Sequence, residues 1–393
     1  MNKRMTAPLT GCVLALLLGV STLAMPGTAG PAAPEYSAEG LRETDWMEQL
    51  GQDLAGRVPG GGLFRAAGNR LSLLLGTSRI GDVFVLSDRL VEGARSVNPV
   101  TARQNTAAID DFALRYPDQT VYLSLVPTAA EVYRDQLPPE PNQLDQLAVI
   151  NGVYGDFAPT QQTAGNTGGS AYGTVEHAAT VDVHTALLAS RRQDLFYRTD
   201  SCWTSLGAYT AYTSLMTGLG ETAVSRDLFH IEYAPGRYYG DLAQRTLLGR
   251  GWGDRIDLYL PASGSVVRKL ICYDEGEAEI RDSLYDTAAL ESEDRTAVFL
   301  GGERGVTVLE TRVENGRSLL LFGDDYARPM LQFLALHYQT IALVDLGKLA
   351  PEEAELIDPA AYQTVLFLYP VTSYVSDTSI SARLDAWTGA ETE

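Results

Sequence analysis

The chain has 393 residues, 45% of them hydrophobic, and a formal net charge of −20 at pH 7. This length accommodates one large domain or two small ones, and the hydrophobic fraction is sufficient for a sizeable core. The strongly acidic balance argues against nucleic acid and anionic membrane surfaces as partners.

The N-terminus has the pattern of a secretory signal. Lys3 and Arg4 precede an apolar run, residues 11–25, that is too short to span a bilayer comfortably. We predict a signal peptide over residues 1–30, either cleaved or retained as a signal anchor, and then a Pro/Ala/Gly-rich linker over residues 31–42. This pattern predicts an extracytoplasmic location, either secreted or at the cell surface.

Beyond the linker, helical and strand patterns alternate almost to the end of the chain. Such alternation predicts an α/β fold, with a mostly parallel sheet flanked by helices and a helical extension on its N-terminal side. We predict a single domain over residues 43–393, with a polar loop rich in Gly and Thr at about 158–176. Predicted helices cover 43–57, 61–77, 99–116, 142–157, 184–192 and 327–338. Predicted strands cover 83–86, 120–128, 180–183, several segments of 264–313 including 295–303, and then 319–322, 340–346 and 364–369.

One stretch in the middle of the chain combines aromatic and polar residues and leads straight into a helical pattern. It reads YRTDSCWTSLGAY and covers residues 197–209. Thr204 or Ser205 can cap the helix, in which apolar residues then recur at helical spacing on one face. An aspartate, a cysteine and a tryptophan are thereby placed on the turn that enters the helix. Such a turn holds side chains firmly enough for chemistry, and it is equally compatible with a purely structural helix start.

This stretch resembles the motif YRTDHHWTxxGAY of the DHHW family of exported bacterial proteins. Those proteins are similar to the AlgX/AlgJ-type SGNH hydrolase-like acetyltransferases of exopolysaccharide export. The resemblance covers nearly all of the chain beyond the linker and implies an SGNH hydrolase-like fold. The chain departs from the motif at the two histidines, because Ser201 and Cys202 stand in their places.

The resemblance also implies roles for individual residues. SGNH-type enzymes use a serine nucleophile, a histidine base and an aspartate that orients the histidine. By this resemblance Asp200 is the orienting aspartate, and Cys202 occupies the position of the histidine. The serine belongs directly after an apolar strand, in the stretch that begins with Gly323 and Asp324, and Asp325 occupies its position.

The position of the oxyanion-binding asparagine is changed as well. It belongs after a double glycine that ends at Gly302, and Glu303 stands there. Glu303 and Asp325 would place negative charge where the oxyanion develops in acyl transfer. A thiol at Cys202 is a poor base near neutral pH. The sequence therefore predicts that ordinary serine acyl transfer is lost.

We predict a catalytically inactive, exported SGNH-like protein that binds cell-surface polysaccharide or assists its O-acetylation. The resemblance implies a membrane-bound O-acyltransferase as a partner, and we predict no metal and no cofactor. Two alternatives stay open. One is an active carbohydrate O-acetylesterase or acetyltransferase that uses Cys202 as nucleophile, oriented by Asp200. The other is a structural or interaction protein of the cell envelope.

Several candidate residues have both a structural and a functional interpretation. Removal of the signal leaves Cys202 and Cys272, which either pair as a disulfide or are unrelated buried thiols. Trp203 is either a core residue or a platform for a sugar ring. Asp325 follows a strand and can also serve as the N-cap of the next helix.

Carboxyl groups are expected to gather if the SGNH-like fold is kept. The pocket would then have carboxyl groups whose pKa values are raised, or a cation would lie among them. The residues expected to converge are Asp200, Cys202, Glu303, Asp324 and Asp325.

Overall fold

The computed structural model describes residues 61–95, 99–140, 142–157, 178–274 and 277–388. The predicted signal, linker, first helix and polar loop fall outside these residues. The chain divides into two compact units between Gly76 and Thr77, and the single predicted domain stays a prediction. In the first unit the structure describes helix α1 (Gly61–Leu74), within the predicted helix 61–77. None of the described helices is long and apolar enough to cross a membrane.

The second unit follows the predicted alternation of strands and helices. Its helices are α2 (Val100–Arg115), α3 (Ala129–Val132), α4 (Gln146–Asp156), α5 (His184–Ala189), α6 (Ser205–Gly218), α7 (Asp241–Thr246), α8 (Leu331–Leu334), α9 (Val371–Ser376) and α10 (Ser379–Thr388). Its strands are β1 (Arg79–Ile80), β2 (Val83–Val85), β3 (Leu90–Glu92), β4 (Thr120–Val126), β5 (Ala179–Thr180), β6 (Phe229–Tyr233), β7 (Asp257–Pro261), β8 (Val267–Asp274), β9 (Glu277–Arg281), β10 (Val306–Thr311), β11 (Ser318–Gly323), β12 (Thr340–Val344) and β13 (Thr364–Pro370).

An eight-stranded sheet forms the centre of this unit, in the order β5-β4-β13-β11-β12-β10-β8-β9. The first five strands in this order, β5, β4, β13, β11 and β12, pair in parallel. The remaining strands, β10, β8 and β9, extend the sheet by antiparallel pairing. Two small sheets, β1-β2-β3 and β6-β7, lie outside it. The predicted α/β fold with a mostly parallel sheet flanked by helices is confirmed.

Strand β11 is buried on both faces because its apolar residues point alternately to either side of the sheet. Leu319 and Leu321 belong to one core cluster, which includes residues of α6 and α8. Leu320 and Phe322 belong to a second cluster, which includes residues of α2, α9 and α10. The core therefore consists of two layers, and β11 is fixed between them. This position determines where the residues directly after β11 emerge.

For residues 295–303 the sequence predicts a strand that enters a glycine turn; the strand is wrong, whereas the glycine turn is present. The residues Arg295–Val298 form a short 3-10 helix, which Asp294 caps by accepting a hydrogen bond from the Ala297 amide at 3.3 Å. The chain then turns through positive φ angles at Leu300, Gly301 and Gly302, of 63°, 82° and 98°. A capping aspartate and two glycines thus override the strand propensity of the apolar residues between them.

The long helix predicted after β11 is also wrong, and with it the N-cap at Asp325. The segment forms a 3-10 turn, Arg328–Met330, followed by the one-turn helix α8. Ala327 holds the N-cap position of the 3-10 turn. The Asp325 carboxylate instead accepts a hydrogen bond from Arg328 Nη2 at 2.9 Å. Proline at position 329 favours this short, tight start, because it fixes φ and offers no amide hydrogen.

Candidate functional site

A pocket of about 480 Å³ lies beside the carboxyl end of β11. In open α/β sheets the carboxyl ends of parallel strands are the usual place for ligands, because loops and helix starts converge there. The pocket is lined by Tyr197, Asp200, Ser201, Cys202, Trp203, Tyr238, Asp241, Gln244, Glu293, Asp294, Thr296, Phe299, Glu303, Asp325, Tyr326, Arg328 and Pro329.

The structure brings together most of the residues singled out from the sequence. Asp200, Cys202, Trp203, Glu303 and Asp325 all line the pocket, although they come from three separate segments of the chain. Of the five residues expected to converge, Asp200, Cys202, Glu303 and Asp325 line the pocket, whereas Asp324 does not.

Gly302, Gly323 and Asp324 do not line the pocket, although each is adjacent in sequence to a residue that does or to the turn that carries one. A Cβ on Gly323 would lie 2.7 Å from the Leu368 carbonyl oxygen, so only glycine fits where β11 ends. The Asp324 carboxylate accepts a hydrogen bond from the Tyr326 amide at 3.0 Å and thereby holds the turn after β11. Burial raises the pKa of Asp324 to about 7.

The turn that carries Asp200 and Cys202 is fixed by the start of α6. Thr204 is the N-cap, as predicted, and its Oγ1 accepts a hydrogen bond from the Gly207 amide at 3.1 Å. The same hydroxyl donates to the Asp194 carbonyl oxygen at 2.7 Å. A Cβ on Gly207 would overlap the Leu195 carbonyl oxygen. Close packing of the helix start against the preceding loop therefore requires a glycine at this position.

Asp200 is nearly buried, with 8% of its surface exposed. Its carboxylate accepts hydrogen bonds from the Cys202 amide at 2.9 Å, from the Tyr238 hydroxyl at 2.5 Å and from the Asp241 amide at 3.2 Å. Burial and the nearby Asp241 charge raise its pKa. The pocket lining contains no histidine among the residues that the structure describes. Asp200 therefore braces its own turn and has no imidazole to orient.

Cys202 is half-buried and surrounded by acidic groups. Burial, followed by the charges of Asp200 and Asp325, raises the pKa of its thiol well above the ordinary value. The thiol is consequently protonated at neutral pH. A protonated thiol is neither a good base nor a good nucleophile.

The two cysteines outside the signal region are free thiols in this structure. Cys272 is buried in strand β8, where its thiol donates to the Leu300 carbonyl oxygen at 3.5 Å. Cys202 lies on the turn before α6 instead. The alternative of a Cys202–Cys272 disulfide is therefore not realised here, and the interpretation as separate thiols agrees with the structure.

Trp203 is fully buried and contacts Tyr326 with ring centroids 5.0 Å apart. Its side chain belongs to the core cluster on the α6 side of the sheet. Of the two interpretations from the sequence, the core position is the one that the structure supports. A fully buried indole cannot serve as an open platform for a sugar ring.

Arg328 is the site residue that sequence reasoning missed. Its side chain is 9% exposed, and Nη2 pairs with the Asp325 carboxylate at 2.9 Å. Glu303 in turn pairs with Lys348 Nζ at 2.5 Å, and this pairing lowers its pKa. Burial raises the pKa of Asp325, and the neighbouring Glu303 charge adds to the effect. The one available signal was the three-residue spacing of an aspartate and an arginine after an apolar strand.

Of the two alternatives for the gathered carboxyl groups, raised pKa values are found for Asp200, Asp324 and Asp325. Arg328 and Lys348 in addition form ion pairs with Asp325 and Glu303. Among the described residues, no group of three or more His, Cys, Asp or Glu side chains is arranged to hold a metal ion.

Two family models match the chain. Residues 173–344 match the model described as DHHW protein, and residues 84–256 match the model described as SGNH hydrolase-like domain, acetyltransferase AlgX. No curated protein matches the sequence.

Solved structures with the same fold include a DHHW family protein from Eubacterium siraeum and PatB1 from Bacillus cereus with a sulfonyl adduct. The first is 18% identical, covers 77% of this chain and 94% of its own, and has a TM-score of 0.59. The second is 16% identical, covers 76% of this chain and 98% of its own, and has a TM-score of 0.60. These findings confirm the predicted resemblance: the chain is similar to the DHHW family and has an SGNH hydrolase-like fold of the AlgX acetyltransferase type.

Proposed function

We propose that this chain is an exported, non-catalytic SGNH-like protein that binds cell-surface carbohydrate or assists its O-acetylation. One observation carries the proposal: Asp325, at the position of the serine, forms an ion pair with the buried Arg328. A carboxylate held in this way is not a replacement for an activated hydroxyl, and Cys202 does not replace the histidine. Export rests on the N-terminal signal pattern alone, and a membrane-bound O-acyltransferase remains the partner that the family resemblance suggests.

The alternative of an active enzyme with Cys202 as nucleophile is less well supported. Catalytic cysteines work as thiolates and lie in surroundings that lower their pKa. The surroundings of Cys202 do the reverse, because burial and two carboxylates raise its pKa.

The proposal is tested by p-nitrophenyl acetate turnover. We compare the wild-type protein with the double variant Cys202→His/Asp325→Ser, after thermal melting has shown that both are folded. The wild type should show no turnover above the uncatalysed rate, whereas the variant should show measurable turnover because the fold and Asp200 are kept. Wild-type turnover that disappears in Cys202→Ala, but persists in the control Cys272→Ala, would overturn the proposal in favour of a cysteine enzyme.

A further inference from the structure

The charges around the pocket are unevenly balanced. Six carboxyl side chains line it, whereas Arg328 is the cationic side chain of the lining in the described part of the chain. Arg245 and Lys348 pair with two of the acids from outside the lining. Two exposed acids at the pocket, Glu293 and Asp294, form no ion pair with a described residue. The pocket therefore keeps a surplus of negative charge that favours a positively charged ligand.

The pocket lining also contains buried donors that lack a hydrogen-bond partner among the described residues. These donors are Nε and Nη1 of Arg328, the hydroxyl of Tyr197 and Nε1 of Trp203. The three residues are 9%, 2% and 0% exposed, so solvent does not satisfy these groups readily. Buried polar groups are almost always hydrogen-bonded in folded proteins. These donors are therefore suited to the oxygen acceptors of a ligand.

The two observations restrict the chemistry of the ligand. A polyamine has the charge but offers no acceptors to Arg328 and Tyr197. A uronic acid has the acceptors, but its carboxylate would be repelled by the surplus of acidic groups. A neutral sugar satisfies the donors and leaves the acids at the pocket mouth without a counter-charge. A hexosamine with a free amine supplies both a cation and several oxygen acceptors.

We propose that the pocket binds a hexosamine residue with a free, protonated amine, as found in de-N-acetylated glucosamine polymers. This inference rests on the carbohydrate binding proposed above and specifies its ligand class. The ammonium group faces Glu293 and Asp294 at the mouth of the pocket. The sugar oxygens accept hydrogen bonds from Arg328 and Tyr197 deeper inside. Asp325 and Glu303, at the positions where the resemblance places the oxyanion site, add negative charge that also favours a cationic ligand.

Isothermal titration calorimetry tests the proposal by measuring the affinity of the full chain for three matched hexasaccharides. The probes are the hexamers of glucosamine, N-acetylglucosamine and glucose (cellohexaose), at about pH 6, where the free amine is protonated. We expect the glucosamine hexamer to bind about fivefold more tightly than the other two, since one ion pair at an exposed position contributes up to about 1 kcal/mol. Spermine, which carries charge without sugar oxygens, should not compete.

A matched pair of variants tests whether the preference for the glucosamine hexamer depends on an acid of the pocket. Glu293→Gln removes an exposed acid of the pocket and should weaken binding of the glucosamine hexamer by about twofold to fivefold, leaving the N-acetylated hexamer unaffected. Glu314→Gln removes an exposed acid that does not line the pocket and should change neither.

The outcomes separate this inference from the proposed function. Tighter binding of the N-acetylated hexamer or of cellohexaose would overturn the amino-sugar ligand and leave carbohydrate binding in place. Equal competition by spermine would show simple ion exchange and would also overturn it. Absence of binding by all three sugars would contradict the carbohydrate ligand itself, while the turnover experiment would still decide whether the chain is catalytic.

Discussion

Thr204 connects the turn that carries Asp200 and Cys202 to helix α6. Its hydroxyl accepts from the Gly207 amide and donates to the Asp194 carbonyl oxygen, so it joins the helix start to the preceding loop. This double role explains how a short turn can hold its side chains in one orientation. The Thr204 hydroxyl therefore helps to position the pocket wall formed by Asp200 and Cys202, together with the hydrogen bonds that Asp200 accepts.

We expect Thr204→Ala to lower the free energy of unfolding by about 1 kcal/mol, because the helix loses its side-chain cap. Thr204→Ser keeps the hydroxyl and should be close to wild type. Urea denaturation followed by circular dichroism measures both variants. Equal stability of the alanine and serine variants would show that the cap contributes nothing.

Helix α2 and the C-terminal helices are connected by Asn105. Its Nδ2 donates to the carbonyl oxygens of Tyr374 and Asp377, each at 2.9 Å, and its Oδ1 accepts from the Ser381 amide at 3.0 Å. The side chain is fully buried. One amide group thus satisfies backbone atoms at the end of α9 and the start of α10, and it fixes these helices to the face of the sheet opposite α6.

Asn105→Ala should therefore destabilise the second unit by about 2–3 kcal/mol, because it leaves three backbone groups without a partner in a buried region. The control is Asn151→Ala on helix α4, where the side chain is exposed and the effect should be small. The midpoint of thermal unfolding measures the difference. A loss at position 105 no larger than at position 151 would contradict this account.

The elements were predictable where one physical signal dominates. The four apolar residues 319–322 predict a fully buried strand, and β11 confirms it, because no polar residue competes for either face. The strand predicted from residue 295 was wrong because the apolar run is short, and local capping by Asp294 determined the structure of this segment.

Arg328 could not be predicted as a pocket residue, because a charged residue after a strand is normally solvated. Its burial follows from packing that no local pattern encodes.

At the scale of the whole molecule, buried carboxyl groups make stability depend on pH. Burial raises the pKa of Asp324 to about 7 and those of Asp254 and Asp345 to about 6. Between about pH 4 and pH 7 the unfolded chain releases these protons while the folded protein keeps them. The contribution of these groups is therefore fully present at low pH and is lost as pH rises through their folded-state pKa values.

We expect Asp324→Asn to weaken this pH dependence. Near pH 4 the variant and the wild type should have similar stability, and above about pH 7 the variant should be relatively more stable by roughly 1–3 kcal/mol. Thermal unfolding across this range measures the difference. Asp118→Asn, at an exposed position in the turn before β4, should keep the wild-type dependence. An unchanged dependence in Asp324→Asn would show that the pKa of Asp324 is not raised in the folded protein.

The pairing of Arg328 with Asp325 also bears on how the protein would tolerate single substitutions at these two positions. A serine at position 325 leaves the buried Arg328 guanidinium without its carboxylate partner and should lower the stability of the fold. Loss of Arg328 leaves Asp325 without its counter-charge, while Glu303 keeps its pairing with Lys348. A change at either position alone should therefore give a less stable protein, so Asp325 and Arg328 are expected to be substituted together.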